Sequence, residues 1–295
     1  MKTIACVVPT HGRHDYLELA LNSIEHQTRT PDEVLVVSDV ADPVARDLCE
    51  RIGQRGILHL TYVESGDGEN GASSSRNVGT RASTTDLIAY LDDDDLWEAK
   101  YLESVLNVAD GADMIVTWLD EFGDGHSRPG PRMREGMRGQ DVAAINPGAT
   151  GSNIVVSRLL FERIDGFDTD LPVKNDTDFV YRALRAGAQY RVVDQPLVRQ
   201  RKHSLGQLTA RTERRALGTE RYMTKHSMSL TAEDMRLMKQ QVERIRSHSG
   251  KNKFSRTFHR LMMVRYYSRA DFARVLIRGR DRSHAKVAAF EENAG

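Results

Sequence analysis

Leu87-Ile88-Ala89-Tyr90-Leu91-Asp92-Asp93-Asp94-Asp95-Leu96-Trp97 runs from a short apolar stretch directly into four carboxylates. An apolar run of this length bounded by polar residues reads as a buried strand, and a strand buried on both faces belongs to a parallel sheet. Like charges this dense repel one another. A solvated turn tolerates them, and so does a site that takes a cation, since oxygen-only ligands suit Mg²⁺ or Mn²⁺. The run alone leaves both readings open, and its place at the carboxyl end of a strand favours the cation site.

The sequence on either side repeats the pattern. Apolar runs at 4–8, 33–37, 57–63 and 114–118 alternate with helical patterns at 16–27, 43–52, from about 71, and 98–109. Strand followed by helix predicts an α/β sheet, mostly parallel and flanked by helices. Three strand ends carry polar or acidic residues, at 10–13, 38–42 and 92–95. Ligands of open α/β sheets bind at such ends.

Beyond this core the period is lost over residues 121–147, which are rich in Gly, Pro, Arg and Met. The expectation is a long mobile loop, a lid that closes over the site. Order returns with a strand at 151–156, a helix at 176–186 and a last short strand at 190–193. From 204 to about 279 the pattern is helical, broken near 230–231 and 249–250. The predicted domains are 1–205 and a C-terminal helical region, 206–295.

The chain has 295 residues with 42 basic and 42 acidic side chains and 39% hydrophobic residues, which excludes wholesale disorder. Residues 251–295 nonetheless carry 11 Lys and Arg against 4 Asp and Glu. Phe254, Phe258, Leu261, Met262, Phe272, Val275 and Leu276 recur there at helical spacing between arginines. Such a face packs on the acidic domain or on a second subunit, making a homodimer, or it touches an anionic membrane; the packed reading is favoured. No stretch has the length of a transmembrane helix, and the first nine residues do not read as a signal peptide. A cytoplasmic chain, with peripheral contact at the inner membrane surface as the variant, is the expectation. Cys6 and Cys49 show no metal or disulfide spacing and read as reduced structural thiols.

Each further motif has two readings. Asp39 follows a strand and is either turn chemistry or a partner for a base or ribose. The Gly71–Gly79 stretch, Gly-Ala-Ser-Ser-Ser-Arg-Asn-Val-Gly, is either a closely packed capped helix or an anion cradle at a helix N-terminus. Asp176 or Asp178 caps a helix or carries chemistry. The cluster at 199–204, which contains His203, is a solvated basic loop or a metal or phosphate ligand.

Taken in order, these pieces resemble glycosyltransferase family 2, the inverting nucleotide-sugar transferases of the GT-A fold. The resemblance spans residues 3–205. It rests on Val7-Val8-Pro9-Thr10-His11-Gly12-Arg13, Ala20 to Ile24, Gln27-Thr28, Pro31 to Val34, Arg76-Asn77-x-Gly79 and Asp92-x-Asp94-Asp95-x-Trp97. It continues through Phe161 to Phe167, Asp176-x-Asp178 and Arg201-x-His203.

The resemblance implies a GT-A, Rossmann-like sheet with a C-terminal helical extension. It implies a hexosyltransferase-type enzyme of carbohydrate biosynthesis that moves a sugar from a nucleoside diphosphate sugar, UDP favoured, to a hydroxyl. The acceptor would be a glycan, a lipid-linked carrier, a peptide or a small metabolite, with no nucleic acid involved. Carried over, Pro9, Thr10, Arg13, Asp39, Arg76, Asp92 and Asp93 would bind the nucleotide, Asp39 on the base and Asp92 on ribose or metal-bound water. Asp94 and His203 would hold Mn²⁺ or Mg²⁺, and Asp176 would be the general base. Trp97, Gly151, Ser152, Asn153 and Asn175 would contact donor sugar or acceptor.

Two departures bear on specificity. Ser38-Asp39-Val40-Ala41 stands where the family has Asp-Asp-Gly-Ser. Asn175 stands where it has Glu, which is expected to lower the pKa of Asp176. A metal-dependent nucleotidyltransferase or phosphatase, or a non-catalytic nucleotide-sugar or Ca²⁺ binding module, are the alternatives. A phosphatase with an aspartyl nucleophile wants an Asp pair after the first strand, where this chain has Pro9-Thr10. A nucleotidyltransferase wants a Gly-rich basic loop there, which His11-Gly12-Arg13 scarcely supplies.

Overall fold

The computed structural model describes residues 2–66, 71–123, 125–202, 212–268 and 272. The chain divides into two compact units, Met1–Ala210 and Arg211–Gly295. The 205/206 boundary expected from the sequence, and Val275 and Leu276, lie outside the described residues.

The first unit is built on a nine-stranded sheet. Strands β1 (Ile4–Thr10), β2 (Glu33–Ser38), β3 (Leu60–Glu64) and β4 (Leu87–Tyr90) form its parallel half in the order β3-β2-β1-β4. Every residue of β1 is buried, which is why it reads as an unbroken apolar run. Helices α1 (His14–Glu25), α2 (Pro43–Gly53) and α3 (Ala72–Ala82) are the crossovers. Leu17, Ala20, Leu21 and Ile24 of α1 form the stripe that packs into the core with Val8, Val34 and Val36. Helix α2 starts on Asp42, whose side chain accepts the Ala45 N–H at 3.0 Å, with Pro43 as its first residue. Cys6 and Cys49 are buried free thiols.

The second half of the sheet is mixed. A two-residue strand β5 (Leu96–Trp97) and helix α4 (Tyr101–Asn107) lead to β6 (Met114–Gly123), β7 (His126–Pro129) and the single turn α5 (Gly139–Val142). Then come β8 (Ile154–Ser157), α6 (Arg158–Arg163), α7 (Asn175–Arg185) and β9 (Tyr190–Arg201). The order continues β4-β8-β6-β9-β5, antiparallel except for β6 with β9, and β7 hangs on β6.

Two expectations are corrected here. Residues 121–147 are not a loop without secondary structure. Strand β6 runs to Gly123 and pairs with β7, Trp118 donates its Nε1–H to the Met133 carbonyl at 2.9 Å, and the Tyr190 hydroxyl bonds Arg134 O and Met137 N. Gly123 approaches the Lys202 carbonyl so closely that no Cβ fits, which is why this strand position is a glycine. The last strand is likewise twelve residues long and takes up Arg199 to Arg201, so that part of the basic cluster is strand and not loop.

The second unit contains α8 (Glu213–Lys225), α9 (Ala232–Ser249) and α10 (Lys253–Arg265). Their breaks fall where Thr231 caps α9 through a capping box and Asn252 caps α10. Ala216, Val242 and Ile245 form its core, and Arg246 bridges α9 to Glu213 and Glu220 of α8. Among the described residues no helix is long and apolar enough to cross a membrane.

Candidate active site

The carboxyl ends of β1 and β4 meet at the Asp92–Asp95 turn, and the period of two continues into it. Asp93 and Asp95 are buried while Asp92 and Asp94 keep partial exposure. The buried pair is engaged within the chain. Asp93 accepts the Thr10 hydroxyl at 2.9 Å and the His11 N–H at 3.4 Å, stitching β4 to the end of β1. Burial pushes its pKa up to about 6, against the pull of Arg13 and with the push of Asp94. Asp95 accepts the Ser152 hydroxyl at 2.6 Å and the Arg201 N–H at 2.7 Å, and burial raises its pKa too.

The outward pair is held by arginines. Arg13 reaches Asp94 Oδ2 at 2.6 Å and Asp93 Oδ1 at 3.3 Å. Asp92 pairs with the Nη2 of Arg76, whose Nη1 lies 3.6 Å from Asp176 Oδ1. One guanidinium thus stands between the β4 turn and the first turn of α7. Arg76 is itself buried, its guanidinium 5.2 Å from the centre of the Phe167 ring. Gly151 passes so close that a Cβ there would collide with Arg76 and touch Asp92 Oδ1 at 2.9 Å, and its N–H bonds Asp176.

Asp176 is not the helix cap. Lys174, in the left-handed region at φ 62°, precedes α7, and Asp176 sits inside its first turn. Its Oδ1, like Nε and Nη1 of Arg76, is buried with no hydrogen-bond partner among the described residues. Buried orphan groups facing one another are what a polar ligand would satisfy. Burial raises the Asp176 pKa to about 6, Arg76 opposes this and Asp92 adds to it. Desolvation is the largest influence on this carboxyl, and Asn175 adds no charge beside it. Asn175 donates to Ser73 Oγ at 3.0 Å and accepts the Asp176 N–H at 3.0 Å.

Other expected site residues take structural places. Trp97 is buried, stacks on Tyr101 at 4.2 Å and donates to the Ser152 carbonyl at 2.8 Å, so its ring is not an open sugar platform. Asn153 is fully buried and bonds Thr117 O, Gly148 O and the Thr150 N–H. Ser152 is equally buried and serves Asp95 and the Asp92 N–H. These three shape the loop that carries Gly151. Pro9 lies within β1 opposite Val37. Asp39 accepts the Gly71 N–H at 2.9 Å and meets His11 Nδ1 at 2.5 Å.

His203 lies outside the described residues. Among the described residues no group of three His, Cys, Asp or Glu is arranged to hold a metal. Asp92 and Asp94 on one turn remain, a donor set that fits Mg²⁺ or Mn²⁺, which take one or two carboxylates and complete their shell with phosphate oxygens and water.

Three contributors were not singled out from sequence. Arg201 holds the turn from behind through its N–H to Asp95 and its Nε to the Asp94 carbonyl at 2.9 Å. His11 is paired with Asp39. Asn77 clasps the Gly166-Phe167 turn, donating to Phe167 O at 2.7 Å and accepting its N–H at 2.8 Å, and so positions the approach to α7. The Arg-Asn pair was a visible signal for Asn77; nothing in the sequence marks His11.

A family model described as Glycosyl transferase family 2 matches residues 5–165. The putative teichuronic acid biosynthesis glycosyltransferase TuaG of Bacillus subtilis is 28% identical over 106 residues, 35% of this chain and 40% of that one. The chain matches about 40 to 60% of the length of this and two other curated relatives. Mannosyltransferase PcManGT of Pyrobaculum calidifontis, in complex with GDP-Man and Mn²⁺, superposes with a TM-score of 0.64 at 18% identity, covering 95% of this chain and 80% of that one. S. aureus TarS 1-349 in complex with UDP-GlcNAc gives 0.59 at 17%, covering 90% and 89%. At these identities the superpositions show a shared GT-A fold.

Proposed function

The chain belongs to glycosyl transferase family 2, and from that premise we propose that it transfers a sugar from a nucleoside diphosphate sugar to an acceptor hydroxyl by a single inverting displacement. The observation that carries this reading is the Asp92–Arg76–Asp176 arrangement. It ties a nucleotide-side carboxylate to a second carboxylate that has an unpartnered oxygen and a pKa of about 6. A base that is ionised at neutral pH yet still proton-avid is suited to take a hydroxyl proton as that oxygen attacks.

The residues divide the work. Asp39, at the end of β2 and oriented by His11 and Gly71, is placed to accept from a base or ribose. Asp94, with Asp92 beside it, would hold Mg²⁺ or Mn²⁺, which when bound supplies positive charge to the departing diphosphate. Arg13 provides a second positive group at the same carboxylate. Arg76 keeps Asp176 ionised against its burial, and Asp176 receives the acceptor proton. UDP is the favoured nucleotide, a reading supported by UDP-GlcNAc bound to the structural neighbour TarS; the GDP-Man complex keeps GDP in the test.

Thermal-shift measurements with UDP, dTDP, GDP and ADP, each with and without Mn²⁺, test the assignment. One nucleotide should stabilise the wild type in a metal-dependent way, and Asp94→Ala should abolish the shift. Asp176→Asn should keep the shift while turnover drops about 10²- to 10⁴-fold. A shift indifferent to Asp94, or turnover indifferent to Asp176, would sink the reading.

A further inference from the structure

The outer face of α10 is built unlike that of a helix buried in its own unit. Helices α8 and α9 turn Ala216, Tyr222, Met238, Val242 and Ile245 inward. In α10 no residue is buried, and Phe254, Phe258 and Leu261 are 83, 49 and 68% exposed. Spaced i, i+4 and i+7, they form one stripe, with Val264 beside it at 41%. The opposite face is accounted for: His259 Nδ1 meets Glu243 Oε2 of α9 at 2.6 Å, and Arg236 of α9 reaches the Tyr266 carbonyl. The stripe is therefore not the surface that fastens the helix.

Its electrostatics name the partner. Lys253-Phe-Ser-Arg256-Thr-Phe-His-Arg260-Leu-Met-Met-Val-Arg265 contains four Lys and Arg and no carboxylate. Lys253, Arg260 and Arg265 lie on the exposed side with the stripe, and none of the four has an ion-pair partner among the described residues. Bridges that hold the same unit together, such as Arg246 with Glu213 and Glu220, show that carboxylates are supplied where a cation serves the fold. Two surface phenylalanines and a leucine flanked only by cations fit a surface that is apolar below and anionic above. An anionic bilayer offers both at once along the whole length of the stripe.

We propose that α10 docks the protein on an anionic bilayer surface, lying in the interfacial plane with Phe254, Phe258 and Leu261 inserted among the acyl chains and Lys253, Arg260 and Arg265 on lipid phosphates. Thirteen residues give a rod of about 20 Å, enough for in-plane binding and too short to span a membrane of about 30 Å. Basic side chains lay their stems on apolar surface and extend their charges to the headgroups, so the same face serves both contacts. Binding of this kind is reversible and salt-sensitive, because the cations act within a Debye length of about 8 Å at physiological ionic strength. It is independent of the reaction the first unit performs.

The full-length protein should be co-sedimented with phosphatidylglycerol-rich vesicles and with phosphatidylcholine vesicles. The expected result is binding to the anionic vesicles only. The Lys253→Gln/Arg260→Gln/Arg265→Gln variant should lose on the order of a hundredfold in partitioning, at about fivefold per charge. Phe254→Ser/Phe258→Ser/Leu261→Ser should lose binding while keeping the wild-type melting temperature and circular dichroism, since it alters exposed positions. No binding to anionic vesicles, or binding indifferent to both variants, overturns the proposal. So does a dimer in light scattering that the serine variant dissociates while vesicles remain unbound; the stripe would then cover a second copy of this chain.

Discussion

Two arginines serve neighbouring carboxylates in this molecule, and their surroundings make them different devices. Arg13 is 40% exposed and meets Asp94 at the mouth of the β4 turn, whereas Arg76 is 3% exposed and stands between Asp92 and Asp176. Water can replace most of what Arg13 offers. Arg76 is buried between the two carboxylates and the Phe167 ring, so its charge cannot be withdrawn without leaving Asp176 with no counter-ion. The comparison teaches that the motif arginine of α3 is a structural charge between two carboxylates, and variants at the two positions separate the two devices.

The largest effect is expected at the buried member. Arg76→Leu leaves Asp92 and Asp176 facing each other with no cation; a fully buried pair broken this way costs about 3–5 kcal/mol, and the 32% and 24% exposure of the two carboxylates puts this one below that range. The sign of its pH dependence sharpens the test. Removing Arg76 removes the charge that lowers the Asp176 pKa, so the folded value climbs further above the unfolded value of about 3.9. The native variant then holds a proton that the unfolded chain has lost, and stability falls as pH rises. Denaturant melts at acid and neutral pH should show the deficit growing toward neutrality; a pH-independent deficit would mean that packing on Phe167, not charge, is what Arg76 supplies.

Gly151→Ala acts on the same guanidinium without altering any charge. The added Cβ collides with Arg76, which has no room to withdraw, and presses on Asp92, so overpacking of about 1–3 kcal/mol is expected. The urea midpoint should fall in proportion. An unchanged midpoint would show that the Gly148–Asn153 loop yields where the structure has it clasped by Asn153.

Much of this was legible in the sequence, and what was not failed for physical reasons. The parallel half could be read because β1, β2 and β4 are buried and leave unbroken apolar runs. Strand β9 could not be followed past Val193, since Asp194 and Gln195 are exposed and a register irregularity separates them from Leu197 and Val198. The acid run showed its position but not its division of labour, because which carboxylates point inward depends on the strand period continuing through the turn. The resemblance implies Trp97 as a donor-sugar or acceptor contact; what no sequence pattern shows is that its ring stacks on Tyr101 and its N–H bonds the Ser152 carbonyl. The Arg76 motif announced an anion partner, but not that the partner would be two carboxylates of the same chain. Burial of a charge between elements 16 and 100 positions away leaves no local pattern.

A smaller effect distinguishes the two carboxylates by titration. With Asp176 half-ionised at about pH 6, kcat/KM should be flat above that value and fall about tenfold per unit below it, because only the ionised form accepts a proton. Asp93 reaches a similar pKa but is occupied by Thr10 and His11, so Asp93→Asn should leave this acid limb in place. If that substitution removes the limb, the titrating group belongs to the β4 turn and the base assignment moves with it.

The smallest change in stability is expected at Arg13. A guanidinium this exposed is screened by water and salt, and exposed ion pairs contribute about 0–1 kcal/mol; burial works against its charge, while Asp93 and Asp94 raise its pKa. Arg13→Ala should therefore barely move the melting temperature. Its consequence should be functional, a weaker thermal shift by the stabilising nucleotide with the acid limb of the pH profile unaltered. A large loss of stability from Arg13→Ala would erase the distinction between the two arginines, because the mutual repulsion of Asp92 to Asp95 would then be held in check at the mouth of the turn and not in its interior.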